Sequence, residues 1–359
     1  MRWSLRTLQN IKMHYHLYGN MKVLFKLARN LRKVDFGYLN FNEAVIKKNE
    51  KYPFSNLLHE FLPKNLTQLH GNTLNRDIHP SFQQLARLKN LKILHLHSHP
   101  VRREGRIPIE PVTMEEPGPY SRLLSLEDIY IPSQTSLQVI SALRFSTKLR
   151  KVNLDLNNPM HFESLAELLK KVKEIDFRNF EIQAKVVSRE PFEIYRYEKE
   201  IKDFFSKLRN VTKINIKGKK QDIYPVLAQI PSLPVHKLII DQFKTSQLIN
   251  EVIEAFASMK NLTEVEISLD NSSMTHDRKV WRNLGIMMAK LKNIKFFKLY
   301  IPSYSSKTKY FFEQLSPMNN LRTLKLTVTI NGSEDMDQIN SICAFIRGQK
   351  ALQDRKSNV

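Results

Sequence analysis

One short apolar template recurs eleven times along this 359-residue chain, and no other feature constrains its fold as strongly. The template is an apolar anchor, two variable residues, an apolar residue, one variable residue and a last apolar residue. Its anchors are Leu31, Leu66, Leu91, Leu126, Leu149, Val172, Val211, Val235, Leu262, Ile294 and Leu321, with a mean step of 29 residues. Leu91-Lys-Ile-Leu94-His-Leu96 and Leu262-Thr-Glu-Val265-Glu-Ile267 show it plainly. Only the second unit departs, with Gly71 at the last apolar position. The two closing apolar positions alternate with polar ones, which is the period of a strand with one buried face. Between strands, apolar residues at helical spacing predict helices over 81–88, 136–143, 162–169, 198–208, 248–259, 279–291 and 310–315. A strand followed by a helix cannot bury its apolar side alone. Such units must stack, with parallel strands on one surface and helices on the other.

This pattern resembles the leucine-rich repeat superfamily, in its irregular, helix-containing subclass, like ribonuclease inhibitor and the repeats of F-box substrate receptors. The resemblance runs from about Leu27 to about Arg347. It implies an α/β solenoid, a horseshoe with parallel strands on the concave face and helices on the convex face, binding protein partners on the strand face. Such proteins usually place Asn two or three residues after the last strand Leu, to tie neighbouring turns together. Asn157, Asn179 and Asn271 come close, and most other units lack it. The expected organisation is a basic cap or targeting segment over 1–26, a solenoid of about eleven units over 27–347 and a charged tail over 348–359. Insertions are expected near 99–120, which holds Pro100, Pro108, Pro111, Pro117 and Pro119, and near 183–197, around Glu190-Pro191-Phe192.

Charge narrows the partners. Lys plus Arg number 57 against 35 for Asp plus Glu, a formal net charge of +22, so acidic partners are expected: structured RNA, another anionic surface or an acidic protein. With the strand register, the outward-facing residues are Lys33, Lys151, Arg178, Lys213, Lys217, Lys237, Lys298 and Lys325 against Asp35, Asp128, Asp155, Glu174, Asp176, Asp241, Glu264 and Glu266. That face is neutral, a poor cradle for a phosphate backbone. The excess lies in the seven residues around each anchor, where 23 Lys or Arg meet 4 Asp or Glu. Stacking aligns these into a basic edge comprising Lys89, Lys92, Lys148, Arg150, Lys170, Lys171, Lys173, Lys207, Arg209, Lys290, Lys292 and Lys295. Cations at helix C-termini also offset the macrodipole, by about 0.3 to 1 kcal/mol each, which is the structural alternative.

Candidate chemistry is sparse. His95 and His97 share one strand face with His70 one repeat earlier, a weak zinc candidate, since exposed strand histidines are common. Glu264 with Glu266, and Glu174 with Asp176, could pair for acid–base work, but on an open face they read as partner contacts. Other contacts expected on that face are Asp128, Arg178, Lys213 and Lys217, with Tyr130, Phe296, Tyr300, Ile93 and Ile239 as apolar anchors. No phosphate loop is recognisable among nine glycines. Cys343 is the lone cysteine and reads as core within 339–346, so neither a disulfide nor a thiolate zinc cluster can form within the chain. No stretch approaches the roughly 18 apolar residues of a membrane span. No catalytic residues, cofactor or small-molecule substrate are expected. A reducing compartment fits, cytoplasmic or mitochondrial matrix. The acid-free, basic start before Asp35 has the profile of an import segment, or of a basic first repeat. The expectation is a non-catalytic scaffold or adaptor, one subunit of a larger assembly. A ribonucleoprotein component, such as one of a mitochondrial ribosome, and a ubiquitin-ligase substrate receptor are the alternatives.

Overall fold

A computed structural model describes residues 8–12, 28, 30–36, 63–74, 84–85, 87–99, 123–132, 137–155, 162–179, 192–217, 224–243, 250–270, 278–301, 308–315, 320–328, 340, 343 and 347. The chain divides into two units, Met1–Asp155 with Glu163–Val172, and Leu156–Phe162 with Lys173–Val359. In the first, strands β1 (Asn10–Lys12), β2 (Lys33–Asp35), β3 (Gln68–Leu74), β4 (Ile93–His99), β5 (Asp128–Ile131) and β6 (Lys151–Asp155) pair in sequence order, all parallel. Helices α1 (Leu137–Leu143) and α2 (Phe162–Leu169) follow β5 and β6. In the second, β7 (Glu174–Asn179), β8 (Lys213–Lys217), β9 (Lys237–Phe243), β10 (Glu264–Leu269), β11 (Phe296–Ile301) and β12 (Thr323–Val328) do the same. Between them run α3 (Phe192–Ser206), α4 (Tyr224–Leu227), a 3-10 turn (Ile230–Ser232), α5 (Asn250–Ser258), α6 (Arg278–Ala289) and α7 (Lys309–Gln314).

Each unit is therefore an α/β leucine-rich repeat solenoid, and the template residues build its core. Val34, Leu69, Leu94 and Ile129 in the first unit, and Ile214, Leu238, Val265 and Phe297 in the second, are fully buried strand residues. Helix faces complete the layer, with Ala166 and Leu169 in α2, Val252 and Phe256 in α5, and Trp281, Leu284 and Met288 in α6 all at 0% exposure. Each such side chain contributes about 1.5 to 3 kcal/mol of hydrophobic stabilisation, so the repeat holds by stacking.

A backbone rung repeats along both units. The carbonyl of the residue after one anchor accepts two successive N–H groups from the next repeat. Arg32 N and Lys33 N reach Gln9 O at 2.8 and 3.0 Å, and Lys92 N and Ile93 N reach Thr67 O at 2.8 and 3.1 Å. The same fork closes on the carbonyls of Arg32, Lys92 and Glu127, and in the second unit on those of Lys173, Thr212, His236, Thr263 and Lys295.

The rung on Gln9 reveals a repeat that the template search passes over. Leu8-Gln-Asn-Ile11-Lys-Met13 fits the template, its strand pairs with β2, and the sheet therefore begins inside the 1–26 stretch. Gly71 is explained by its neighbour. A Cβ there would stand 3.1 Å from Cβ and Cδ2 of Phe36, so fully buried Phe36 fills the space that the missing side chain leaves. Helices α1, α2, α5, α6 and α7 lie within two residues of expectation. Helix α3 starts at Phe192, six residues before 198, and takes in the end of the 183–197 stretch. Helix α4 and the 3-10 turn were not expected, because Pro225 and Pro231 interrupt the apolar spacing there, although a proline suits the first turn of a helix. Cys343, expected as core, is only half-buried. The insertion near 99–120 lies outside the described residues beyond His99, which ends β4. Among the described residues no helix is long and apolar enough to cross a membrane.

Gly285 lets α6 lie against α7, for a Cβ there would meet Phe311 O at 2.5 Å and Gln314 Cβ at 2.8 Å. Strand β9 carries one extra residue opposite β10, and Gln242 at that bulge has φ 58°.

Candidate functional site: the open strand face and the turn edge

The residues that alternate with the buried strand pairs form the open face of each sheet, and the two units furnish it differently. In the first, register aligns His70, His95, Tyr130 and Asn153 on adjacent strands. Asn153 is fully buried, Tyr130 is 3% exposed and His95 8%. The Asn153 amide donates to Asp128 Oδ1 at 2.7 Å and to Ile129 O at 3.2 Å. His95 Nε2 lies 2.9 Å from the same Asp128 oxygen, which assigns the proton to Nε2 when the carboxylate is ionised. Lys151 Nζ stands 3.6 Å from the other oxygen. Burial alone would raise the Asp128 pKa. The His95 hydrogen bond and charge, Lys151 and Asn153 outweigh it and hold the carboxyl below its ordinary value. His70 meets the His95 ring edge-on at 4.9 Å, and its pKa is lowered, first by burial and then by His95. The His97 ring lies 4.3 Å from that of Tyr130, whose hydroxyl donates to Asp155.

His70 and His95 thus contact each other, while His97 stacks on Tyr130. Among the described residues no group of three or more His, Cys, Asp or Glu is placed to hold a metal. His95 is covered, not an exposed strand histidine. Tyr130, and Asp176 at 7% exposure, were expected as partner contacts but are buried, because neighbouring side chains in the dense register cover them.

On the second unit's open face, half-exposed ions pair across strands. Lys213 Nζ lies 2.8 Å from Glu174, Lys237 reaches Glu264 at 3.2 Å and Glu266 at 2.6 Å, and Lys298 reaches Glu266 at 3.3 Å. Burial works against the charge on Lys237, yet its two glutamates raise its pKa, while Lys237 and Lys298 together lower that of Glu266 against the effect of burial. The carboxylate pair Glu264 and Glu266 is therefore an anchor for one lysine. Lys217 stands opposite Asp241 in register. Phe296 lies between two ammonium groups, 5.6 Å from Lys237 and 5.7 Å from Lys325, and Tyr300 on the same strand is 37% exposed. The side chain of Arg178 lies outside the described residues. Ile93 and Ile239 occupy outward positions and are half-buried.

The turn edge carries the expected cations. No helix from α1 to α7 has a basic residue in its last turn; Lys170, Lys207 and Lys290 stand one residue past their helix ends. Dipole compensation fades within a turn, so it does not account for Lys92, Arg150, Lys173, Lys292 or Lys295. Four edge lysines are engaged. Lys92 pairs with Glu127 at 3.0 Å, Lys170 with Glu167 at 2.6 Å, Lys290 with Glu254 at 2.5 Å, and Lys171 donates to Arg144 O. Lys89, Lys148, Arg150, Lys173, Lys207, Arg209, Lys292 and Lys295 have no ion-pair partner among the described residues.

Among the described residues, asparagines just before the anchor tie neighbouring turns; Asn157, Asn271 and the side chain of Asn179, expected to do so after the strand, lie outside the described residues. Asn261, Asn293 and Asn320 donate to Leu233 O, Lys260 O and Lys292 O at 3.5, 2.8 and 3.0 Å. Thr67, Thr212 and Thr263 add hydroxyl donors to rung carbonyls at 3.0, 3.3 and 3.3 Å. The signal was present in the sequence, since Asn also precedes the anchors Leu31, Leu66, Leu91 and Val211.

No family model matches the chain, and no curated protein matches it. Among solved structures, two leucine-rich repeat proteins are similar. TLR13 in its complex with ssRNA13 is 11% identical, with 96% of this chain and 64% of that chain covered and a TM-score of 0.24. The mouse RP105/MD-1 complex is 12% identical, covering 76% of this chain and 56% of that chain, with a TM-score of 0.29. This chain spans less than two thirds of either.

Proposed function

We propose that this chain is a non-catalytic scaffold or adaptor, a subunit of a larger assembly that grips protein with the open strand face of its second unit and rests its turn edge on an anionic surface. The observation behind this reading is the half-exposed ladder Glu174–Lys213, Lys237–Glu264–Glu266–Lys298, set around Phe296 and Tyr300. Such pairs contribute only about 0 to 1 kcal/mol each to stability, but charges held in fixed positions select a complementary partner, and aromatic side chains among them supply anchors. The compartment proposed is a reducing one, cytoplasm or mitochondrial matrix, where a lone Cys343 stays a thiol.

The test is affinity purification from native extract with the full chain and with Phe296→Ala/Tyr300→Ala, each with and without nuclease. Proteins retained through nuclease treatment and lost from the variant support the reading; an identical set on both chains overturns it. A second reading, an RNA-associated component of a particle such as a mitochondrial ribosome, draws on the eight edge cations that have no ion-pair partner among the described residues and requires that partners vanish with nuclease. A ubiquitin-ligase substrate receptor would use the same strand face, and co-purification of ligase subunits distinguishes it.

A further inference from the structure

The first unit's turn edge is not uniformly basic. Leu124 and Phe145, each 49% exposed, are two of the three large apolar side chains left exposed among the described residues; Tyr300 is the third. They stand on adjacent turns, two residues before the anchor Leu126 and four before the anchor Leu149. The Ser146 hydroxyl donates to Leu123 O at 2.8 Å and joins the two turns next to both side chains. Two residues before their anchors, seven other repeats carry a cation, Arg29, Lys64, Lys89, Lys170, Arg209, Lys260 and Lys292, while Thr147, Leu233 and Asn319 are uncharged; Leu233 is buried and Leu124 is exposed.

Cations surround this apolar pair. The Arg144 guanidinium lies over the Phe145 ring, 5.1 Å from its centre. Lys148 and Arg150 are exposed on the same turn and have no ion-pair partner among the described residues. Lys171, from the following turn, donates to Arg144 O and brings another positive charge alongside. Glu127, the acidic residue next to Leu126, is held by Lys92 at 3.0 Å. A single exposed leucine is ordinary, but two apolar side chains on adjacent turns among cations keep apolar surface in water without a gain to the fold.

We infer that the patch of Leu124 and Phe145, ringed by Arg144, Lys148 and Arg150, docks an acidic segment of a partner protein that presents apolar side chains between its carboxylates. Apolar contact at the centre would supply affinity, and the surrounding cations would set orientation and association rate. Nucleic acid fits the patch less well. A base could stack on Phe145, but Leu124 has neither a π face for a base nor a charge for a phosphate. The patch lies on the turn edge proposed above to rest on an anionic surface and gives that surface an identity; it is separate from the strand face, whose test is independent of it.

Fluorescence anisotropy tests this with the full chain and a labelled twelve-residue peptide that repeats Glu-Glu-Leu-Glu-Glu-Phe. Leu124→Ser/Phe145→Ser is expected to weaken binding at least tenfold, as is Lys148→Glu/Arg150→Glu, with circular dichroism confirming the fold. A probe with Ser in place of Leu and Phe should bind at least tenfold more weakly. Phe296→Ala/Tyr300→Ala should leave the affinity within twofold. The inference fails if Leu124→Ser/Phe145→Ser binds the probe as the parent does, or if the Ser probe binds equally well. It also fails if labelled oligouridylate outcompetes the peptide and is released by Leu124→Ser/Phe145→Ser. A parent chain that sediments as a dimer, becomes a monomer in that variant and ignores the probe would assign the patch to a second copy instead.

Discussion

On the open face of the first unit a cluster of polar side chains is buried and bound to itself, whereas on that of the second, Asp176 apart, half-exposed side chains pair as ions. The Asn153–Asp128–His95 cluster has nothing to offer a ligand without breaking itself. The Lys237–Glu264–Glu266–Lys298 ladder can exchange an internal partner for an external one at little cost. One repeat geometry thus serves both as built structure and as available surface, and the burial of its polar groups decides which.

Four substitutions or conditions probe that contrast. The largest effect should come from Gly285→Ala, which places a methyl group 2.5 Å from Phe311 O and forces α6 and α7 apart. A loss of about 3 kcal/mol or more in urea unfolding is expected, with faster hydrogen exchange in α6 and α7 and unchanged exchange in β4 to β6. The second unit's tolerance would then be confined to its open face. Next, Asn153→Ala should cost about 2 to 3 kcal/mol, because it strips Asp128 of a donor within a buried cluster. Exchange should accelerate across β4, β5 and β6 alone. A value below half a kcal/mol would abolish the distinction between the faces.

Acidification should then separate the two units without mutation. The folded pKa of His70 is lowered from 6.5, so the fold favours its neutral form, and that contribution is lost as pH falls below 6.5. The pKa of Asp128 is lowered from 3.8, so its contribution is present above that value and fades as pH falls through the lower folded one. In the second unit, Glu266 is lowered from 4.5 and Lys237 raised from 10.5, so neither responds between pH 6.5 and 5. Exchange measured at pH 7 and pH 5 should accelerate in β3 to β5 and not in β9 to β11. The smallest effect is expected from Lys237→Met, about 1 kcal/mol at low salt and near zero at 1 M, where screening reaches about 3 Å.

The core was legible in the sequence because its signal is periodic. Every anchor needs an apolar residue, and the strand that follows must alternate, so eleven repeats stand out even with uneven steps. Leu8 to Met13 escaped because its basic flanks invited a compositional explanation of the same residues. The asparagines at the residue before the anchor, Asn261, Asn293 and Asn320, were not legible as ties, because their partner carbonyls lie a whole repeat away, 28 to 33 residues back along the chain. Which outward side chains are covered was not legible. Tyr130 and Glu264 both occupy outward strand positions, yet Tyr130 lies beneath His97 and bonds Asp155, while Glu264 stays half-exposed. That outcome depends on who stands on the neighbouring strand, some 25 to 39 residues away. The exposed pair Leu124 and Phe145 was missed for the same reason, since each alone passes for a variable turn residue.

The forked rungs have a consequence for how such a surface changes over time. Because each rung carbonyl already takes two amide protons from the following repeat, the rungs do not rely on the exposed, variable side chains of the turns. Lysine, leucine, glutamate or threonine can therefore be interchanged there with little penalty to folding. Binding preference along that border is free to drift, one side chain at a time, while the architecture beneath it stays put.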